Sequence, residues 1–323
     1  MAVKTWGAQQ AYLEPAVLKR LTKTTPWRTT AALVFDWIVI LGAAALALSI
    51  GAWWAYCIAV VVIAGRMHAL AGLVHDFAHY HYLRDKRRSD LIGNIFAAWP
   101  LLITVQSYRN NHLAHHQNTN GDTDPDWQAK DGVHKFTFPM SKASALKLFS
   151  SYFVGIGAVV DMRSALVRIN AAAEQTTLSE KLPRLLFYAA IALVLTFCGG
   201  WTAFFLLWAL PFFTLFFFFM YVRSVAEHFG VTMDHSSELT ASRTVIPAWW
   251  EGWLFAPHNL NYHLDHHLYP SVPFYRLKDL HGALMQHPQY AAQAHITEGY
   301  TTGLLREVGL FNVQHQTHSQ VSL

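Results

Sequence analysis

The feature that most restricts what this chain can fold into is a set of apolar runs that double back in pairs. From Ala31 to Ile50 the sequence is almost purely apolar for 20 residues, about 30 Å of helix and the thickness of a bilayer core. Gly51 turns the chain, and a second run from Trp53 to Val74 brings it back, with Arg66 and His68 near its far end. A second pair follows, Leu182 to Cys198 and Trp201 to Val222, joined by Gly199–Gly200 and ending in a phenylalanine-rich stretch. The reading is four spans in two hairpins. Composition agrees, with 14% charged residues against about 25% in a typical soluble protein.

Charge sets the topology. Neither turn, Ser49 to Trp54 or Cys198 to Trp201, carries a charge, and every Lys and Arg outside the spans falls in the N-terminal arm, the middle segment or the tail. The positive-inside rule therefore places both termini and the middle segment in the cytosol, in a bacterium at the inner membrane. Trp53, Trp54 and Trp201 fit an aromatic belt at the opposite interface. No linker or fixed-period repeat divides the chain, and no signal peptide is evident. The expected organisation is one domain over 1–323: a cytosolic arm 1–30, a hairpin 31–74, a cytosolic or interfacial segment 75–181, a hairpin 182–222 and a cytosolic segment 223–323. Two shorter apolar stretches, Leu91 to Val105 and Phe149 to Val160, are too short to span comfortably and read as interfacial or re-entrant helices. A net charge of +4 needs no nucleic-acid partner.

Histidine carries the chemistry. Cys57 and Cys198 lie in apolar runs and can build neither a disulfide framework nor a cysteine zinc site. Of 19 histidines, eight form three clusters: His75 and His79 just after the second span, then His112, His115 and His116, then His263, His266 and His267. Spacings of three and four put each cluster on one helix face. Imidazole suits iron, copper, zinc or nickel, so these residues point to a metal without naming it. A structural zinc site closes at four ligands; eight or nine ligands match two ions, with open positions for dioxygen. His228 follows the fourth span much as His75 follows the second, which makes it a ninth candidate. The fold class expected is an all-α integral membrane protein, with a cytosolic helical cap holding a histidine-rich two-metal site. His68, His81, His258 and His281 read as packing or supporting residues, and His134, His235, His287, His295, His315 and His318 as solvated positions.

The clusters, HxxxH, HxxHH and HxxHH, resemble the three histidine boxes of the membrane fatty-acid desaturases, and the similarity runs from about residue 30 to about residue 285. The stretch Asn259 to Pro273 is similar to the third-box region of bacterial acyl-lipid desaturases. The resemblance implies a di-iron centre that uses O2 to remove hydrogen from an unactivated C–H bond in an acyl chain or related lipid. It implies as iron ligands His75, His79, His112, His115, His116, His228, His263, His266 and His267. It makes Asn259 a candidate to reach an iron through water. Asp124, in the acidic turn Asp122 to Trp127, would pair with an arginine such as Arg109 or hold an imidazole from behind, and Asp265 is a further candidate for such support. No His-Pro-Gly-Gly haem motif is present, so the electrons would come from a separate ferredoxin, rubredoxin or cytochrome-type donor.

A lipid hydroxylase or ketolase on the same scaffold is the alternative, and Glu227-His228-Phe229-Gly230 resembles an element of the alkane hydroxylases. A transporter or haem protein fits poorly, because the spans are nearly bare of ionisable groups. The substrate is expected in a narrow apolar channel, for which Phe77, Trp99 and Tyr262 are the nearest aromatic candidates.

Overall fold

In the computed structural model, residues 12–172 and 178–311 are described; His315 and His318 lie outside them. Three helices have the length and apolarity to cross a membrane: Pro26–Ile50, Trp53–Ala78 and Trp201–His228. The first starts on Pro26, whose fixed φ suits a first helical turn and whose missing N–H is not needed there. It stops at Gly51, which takes φ +66° and returns its N–H to Ala47 O at 2.9 Å. A side chain at that φ clashes with its own carbonyl, so the hairpin turns where the chain has no Cβ. Gly199 does the same at φ +63° in the second hairpin.

The helix Leu178–Phe197 is the expected third span. It carries Glu180, Lys181 and Arg184 in its first two turns and falls short of the apolarity of the other three. The two shorter apolar stretches fold as sharp elbows: Lys86–Leu101 meets Val105–Asn118 at 89°, and Lys142–Phe153 meets Ile156–Ser164 at 84°. Leu102 makes the first bend in the left-handed region (φ +64°) and Gly155 the second (φ +82°). The fold is almost entirely helical, with one exception that the apolar pattern did not show: Thr244–Ile246 and Ile296–Glu298 pair as a short parallel ladder.

The second helix is the axis of the molecule. Its apolar window is 72% buried, against 22% for Pro26–Ile50 and 33% for Trp201–His228. Glycine allows the close approaches: a Cβ on Gly72 would lie 2.7 Å from Leu260 Cδ1, so this is where the loop ahead of the third cluster seats on the second helix. Past the first turn, the charged residues of the first two helices face inward. Asp36 and Arg66 pair at 3.1 Å, both buried, and His258 closes on the other carboxylate oxygen at 2.7 Å. Arg66 also donates to Trp253 O at 2.6 Å. Arg66 is therefore anchored in protein and does not reach for the interface.

Trp201–His228 is widened by two π-helical turns, Phe205–Ala209 and Phe212–Phe216, on either side of Pro211. Proline cannot donate to the helical ladder, and π turns commonly absorb such a break. The helix continues straight on to His228.

Candidate metal centre

The second helix delivers His75 at its last turn and His79 at its C-cap. Val105–Asn118 is capped by Thr104, whose Oγ1 accepts from Ser107 N, and carries His112, His115 and His116 on one face. Trp201–His228 ends on His228, and the short helix His263–Leu268 supplies the third cluster. The structure brings all nine of these histidines to one place, in two groups. His75, His79, His112, His116 and His266 have nitrogens within 4.8 Å of one another, and so do His115, His228, His263 and His267. Each group draws on at least three separate chain segments. The second and third clusters are both split between the groups, which helix spacing alone does not reveal.

The distances within the groups are those of ligands around an ion. In the group of four, Nε2 atoms lie 2.9 Å apart for His263 and His228, 3.0 Å for His267 and His263, and 3.2 and 3.3 Å from His115 to His228 and His267. In the group of five, His79 to His112 is 2.9 Å, and His112 to His116 and His116 to His266 are each 3.0 Å. Adjacent nitrogens about 2.1 Å from one octahedral ion sit about 3.0 Å apart. His75 Nε2 is buried with no hydrogen-bond partner, its ring 4.4 Å from those of His112 and His266.

Tautomers make the case independently. His115 Nδ1 donates to Asp124 Oδ2 at 2.7 Å, His267 Nδ1 to Thr119 Oγ1 at 3.2 Å and His228 Nδ1 to Ala241 O at 3.3 Å, while His263 Nδ1 lies 3.3 Å from Glu227 Oε1. Thr119 spends its own hydroxyl hydrogen on His115 O, so its oxygen is an acceptor for His267. A neutral imidazole has one N–H. With that hydrogen at Nδ1, four Nε2 lone pairs face one another about 3 Å apart and cannot hydrogen-bond to each other. Only a cation between them makes this arrangement favourable. Burial, then the neighbouring imidazoles, hold His263, His266 and His267 well below the usual histidine pKa, and burial lowers His79 to about 3. The rings stay neutral and able to ligate.

The surrounding residues refine three expectations. The carboxylate of Asp124, fully buried, stands behind His115, and its other oxygen caps the turn at Asp126 N and Trp127 N. Arg109 does not pair with that turn: it forks onto Asp90 (2.6 and 2.9 Å) and donates to Phe77 O and Ala78 O, capping the helix that bears His75. Asn259 donates its amide to Phe274 O at 3.0 Å in a left-handed loop, whereas Asn111 and Ser224 line the cleft beside the imidazoles. Asp265 accepts from Thr244, Tyr290 and His281 and so ties the third-cluster helix to the strand and to the helix Leu277–Leu284. Glu227, signalled by its place before His228, and Thr119, which carries no signal in sequence, are the supports that the sequence reading passed over. His295 is likewise no solvated histidine; it bonds Glu307 at 2.9 Å within a network around the buried Arg243. Phe77 packs in the core against Tyr82.

Membrane-length apolar helices and two converging sets of imidazoles are compatible with a metal centre in a membrane protein. The Fatty acid desaturase family model matches residues 51–299, and the chain belongs to that family; it is an oxidoreductase. It is 26% identical over 288 residues to the dihydrorhizobitoxine desaturase of Bradyrhizobium elkanii, covering 85% of this chain and 81% of that one. It is 24% identical over 270 residues to the sn-1 oleoyl-lipid 12-desaturase of Anabaena variabilis, covering 77% and 74%. The sn-1 oleoyl-lipid 12-desaturase of Synechocystis sp. is 28% identical over 232 residues, 66% of this chain and 63% of that one.

Proposed function

We propose that the chain is an O2-dependent di-iron desaturase that introduces a double bond into an aliphatic chain, with the nine histidines as iron ligands. The observation that carries this is the group of four imidazoles whose Nδ1 atoms all face acceptors, leaving four lone pairs inward. His75, His79, His112, His116 and His266 would hold one iron and His115, His228, His263 and His267 the other. An iron pair supplies the means to activate dioxygen and remove hydrogen from an unreactive C–H bond. The protein's part is to fix the rings, exclude protons from them by burial, and hold one stretch of substrate beside the pair. Oxidation of one C–C bond with reduction of O2 to two waters takes two further electrons and two protons; the electrons come from a separate ferredoxin, rubredoxin or cytochrome-type donor. Acyl lipids are the substrates named for two of the relatives, and dihydrorhizobitoxine for the third.

The site also orders the topology. His79 and His112 touch at 2.9 Å, so the elbow Lys86–Asn118 returns to the side it left. Asp161, past the second elbow, bonds Tyr152 and Lys135, so that elbow returns as well. Trp201–His228 comes back to the same site from the other side, and Leu178–Phe197 is then the crossing that takes the chain out. These contacts support four spans in two hairpins, and with the positive-inside rule the reading puts the metal site on the cytosolic face of a bacterial inner membrane.

Expression with a ferredoxin–reductase pair, followed by mass spectrometry of host products with double-bond localisation, tests the reading. A new double bond supports it; product carrying oxygen from labelled O2 replaces it with hydroxylation.

A further inference from the structure

Between the strand Thr244–Ile246 and the third cluster the chain runs down the second helix and back. The helix Trp249–Phe255 ends against Gly65, where a Cβ would lie 3.3 Å from Leu254 Cδ2 and 3.7 Å from Trp253 Cζ3. His258 then reaches Asp36 on the first helix, and Leu260 seats on Gly72, two turns nearer the imidazoles than Gly65. Depth follows from the helical rise. Gly65 is 12 residues past Trp53, about 18 Å, and Asp36 is nine residues past Trp27, about 13 Å. Trp27 and Trp53 are 66 and 78% exposed and stand at opposite ends of the first hairpin. The level at which Trp253, Leu254 and His258 pack therefore lies inside an apolar layer about 30 Å thick.

At that depth a loop finds no water, and its backbone must be satisfied by protein. The second helix does this. Trp253 O would pair with residue 257 in a continued helix, but Pro257 has no N–H to give. Arg66 donates to Trp253 O instead (2.6 Å), and His68 Nδ1 donates to Leu254 O (2.8 Å). At the other end of the short helix the buried Glu251 accepts from Ala248 N (2.9 Å), Thr301 N (2.7 Å) and Thr301 Oγ1 (2.6 Å). With His258 paired to Asp36, residues 246–260 offer no unspent charge. Their outer surface is apolar: Ile246, Trp249 and Trp250 are 38, 86 and 40% exposed. Two adjacent bare indoles are costly in water and favourable at a lipid boundary.

We propose that residues 246–260 form a re-entrant element that dips into the bilayer from the metal-site side, with Trp249 and Trp250 in contact with lipid. The partner of this surface is the bilayer, because the surface continues the lipid-facing band of the helices it packs on. The element returns directly to His263, so one short loop carries both the lipid contact and the third cluster. This holds for a desaturase and a hydroxylase alike.

Spin labelling of the full chain tests it. In a background with Cys57 and Cys198 replaced by Ala, W249C carries a nitroxide in phosphatidylcholine–phosphatidylglycerol nanodiscs. Its collisions with O2, which partitions into hydrocarbon, are compared with those with a water-soluble nickel chelate. L41C, from an exposed position midway along the first helix, and K86C, from an exposed lysine beside Tyr80 on the metal-site side, are the references. The ratio of O2 to nickel accessibility in W249C should exceed that in K86C by about tenfold and approach that in L41C. A ratio like that of K86C puts the tryptophans in water and overturns the proposal. Low accessibility to both agents means that protein covers them, and overturns it as well. A second measurement needs no label: phosphatidylcholine brominated on its acyl chains should quench tryptophan emission of the wild-type protein, and W249F/W250F should lose part of the quenched signal. Equal quenched emission from the two proteins would likewise refute the lipid contact.

Discussion

Replacing Asp124 with Asn tests whether imidazole tautomers set up the metal site. The Asp124 carboxylate accepts four N–H groups: His115 Nδ1 (2.7 Å) and Asn120 N (2.9 Å) on Oδ2, Asp126 N (2.8 Å) and Trp127 N (3.2 Å) on Oδ1. Asparagine has nearly the same shape but offers one oxygen and one NH2. Either orientation of the amide turns two hydrogens toward two N–H donors. If the NH2 faces His115, the ring gives up its Nδ1 hydrogen and takes one at Nε2, which removes a lone pair from the group of four. If it faces the turn, Asp126 N and Trp127 N lose their acceptor and the loop that seats Asp124 loosens. Loss of a hydrogen-bond partner behind a metal-bound histidine typically costs 10–100-fold in metal affinity, about 1.4 to 2.8 kcal/mol. Only one group depends on His115, so D124N should retain the ion of the other. The assay is iron content by mass spectrometry after dialysis against a graded chelator, with helicity checked by circular dichroism. Iron near half the wild-type value at intermediate chelator is expected; retention indistinguishable from wild type at every chelator concentration would show that Asp124 does not set the His115 tautomer.

Three further outcomes follow from the same geometry. His115→Ala and His266→Ala, one from each group, should each abolish product formation and lower bound iron, and full activity in either variant would remove that histidine from the ligand set. Arg243→Met deletes a fully buried guanidinium that bonds Ala226 O, Phe229 O and Glu307, leaving the carbonyls without their donor and the Glu307 carboxylate without its arginine, at a cost of roughly 3–5 kcal/mol; a thermal midpoint in detergent within a degree of wild type would contradict this. The depressed pKa values of His263, His266 and His267 mean that the unfolded chain takes up protons below about pH 6.5 while the folded rings do not. Stability of the metal-free protein should therefore be level above that pH and fall as pH drops below it, and a profile that rises on acidification would refute the burial argument.

Three of the apolar helices and the three clusters were legible because each is a local pattern: a run of apolar residues, or imidazoles three and four apart. Gly51 and Gly199 were legible as turns for the same reason. What the sequence withheld is what contacts across the chain decide. The split of His115 from His112 and His116 depends on how three helix ends meet, and the partner of Arg109 is Asp90, not the acidic turn. The partners of Asp36, the one charged residue in the apolar run Ala31 to Ile50, are Arg66 and His258, 30 and 222 residues away.

The two helices that end on clustered histidines share a device that explains how soft helix ends can hold a precise site. Carbonyls in the last turn of a helix have no internal partner, and such ends fray. The second span ends near His75 and His79, and there Arg109 donates to Phe77 O and Ala78 O. The span that ends on His228 receives Arg243, which donates to Ala226 O and Phe229 O. Each arginine is buried and held in turn by a carboxylate, Asp90 for Arg109 and Glu307 for Arg243. The positive charge also sits at the negative end of the helix dipole. Arg109 stands on the helix that carries His112, His115 and His116, so capping one span fixes the first cluster relative to the second in a single step. Arg243 directly precedes Thr244, which bonds Asp265 within the third cluster, so the second cap sets His228 against His263 and His267. The registration of both imidazole groups thus runs through two buried guanidinium–carboxylate pairs, and the rings converge before any ion arrives.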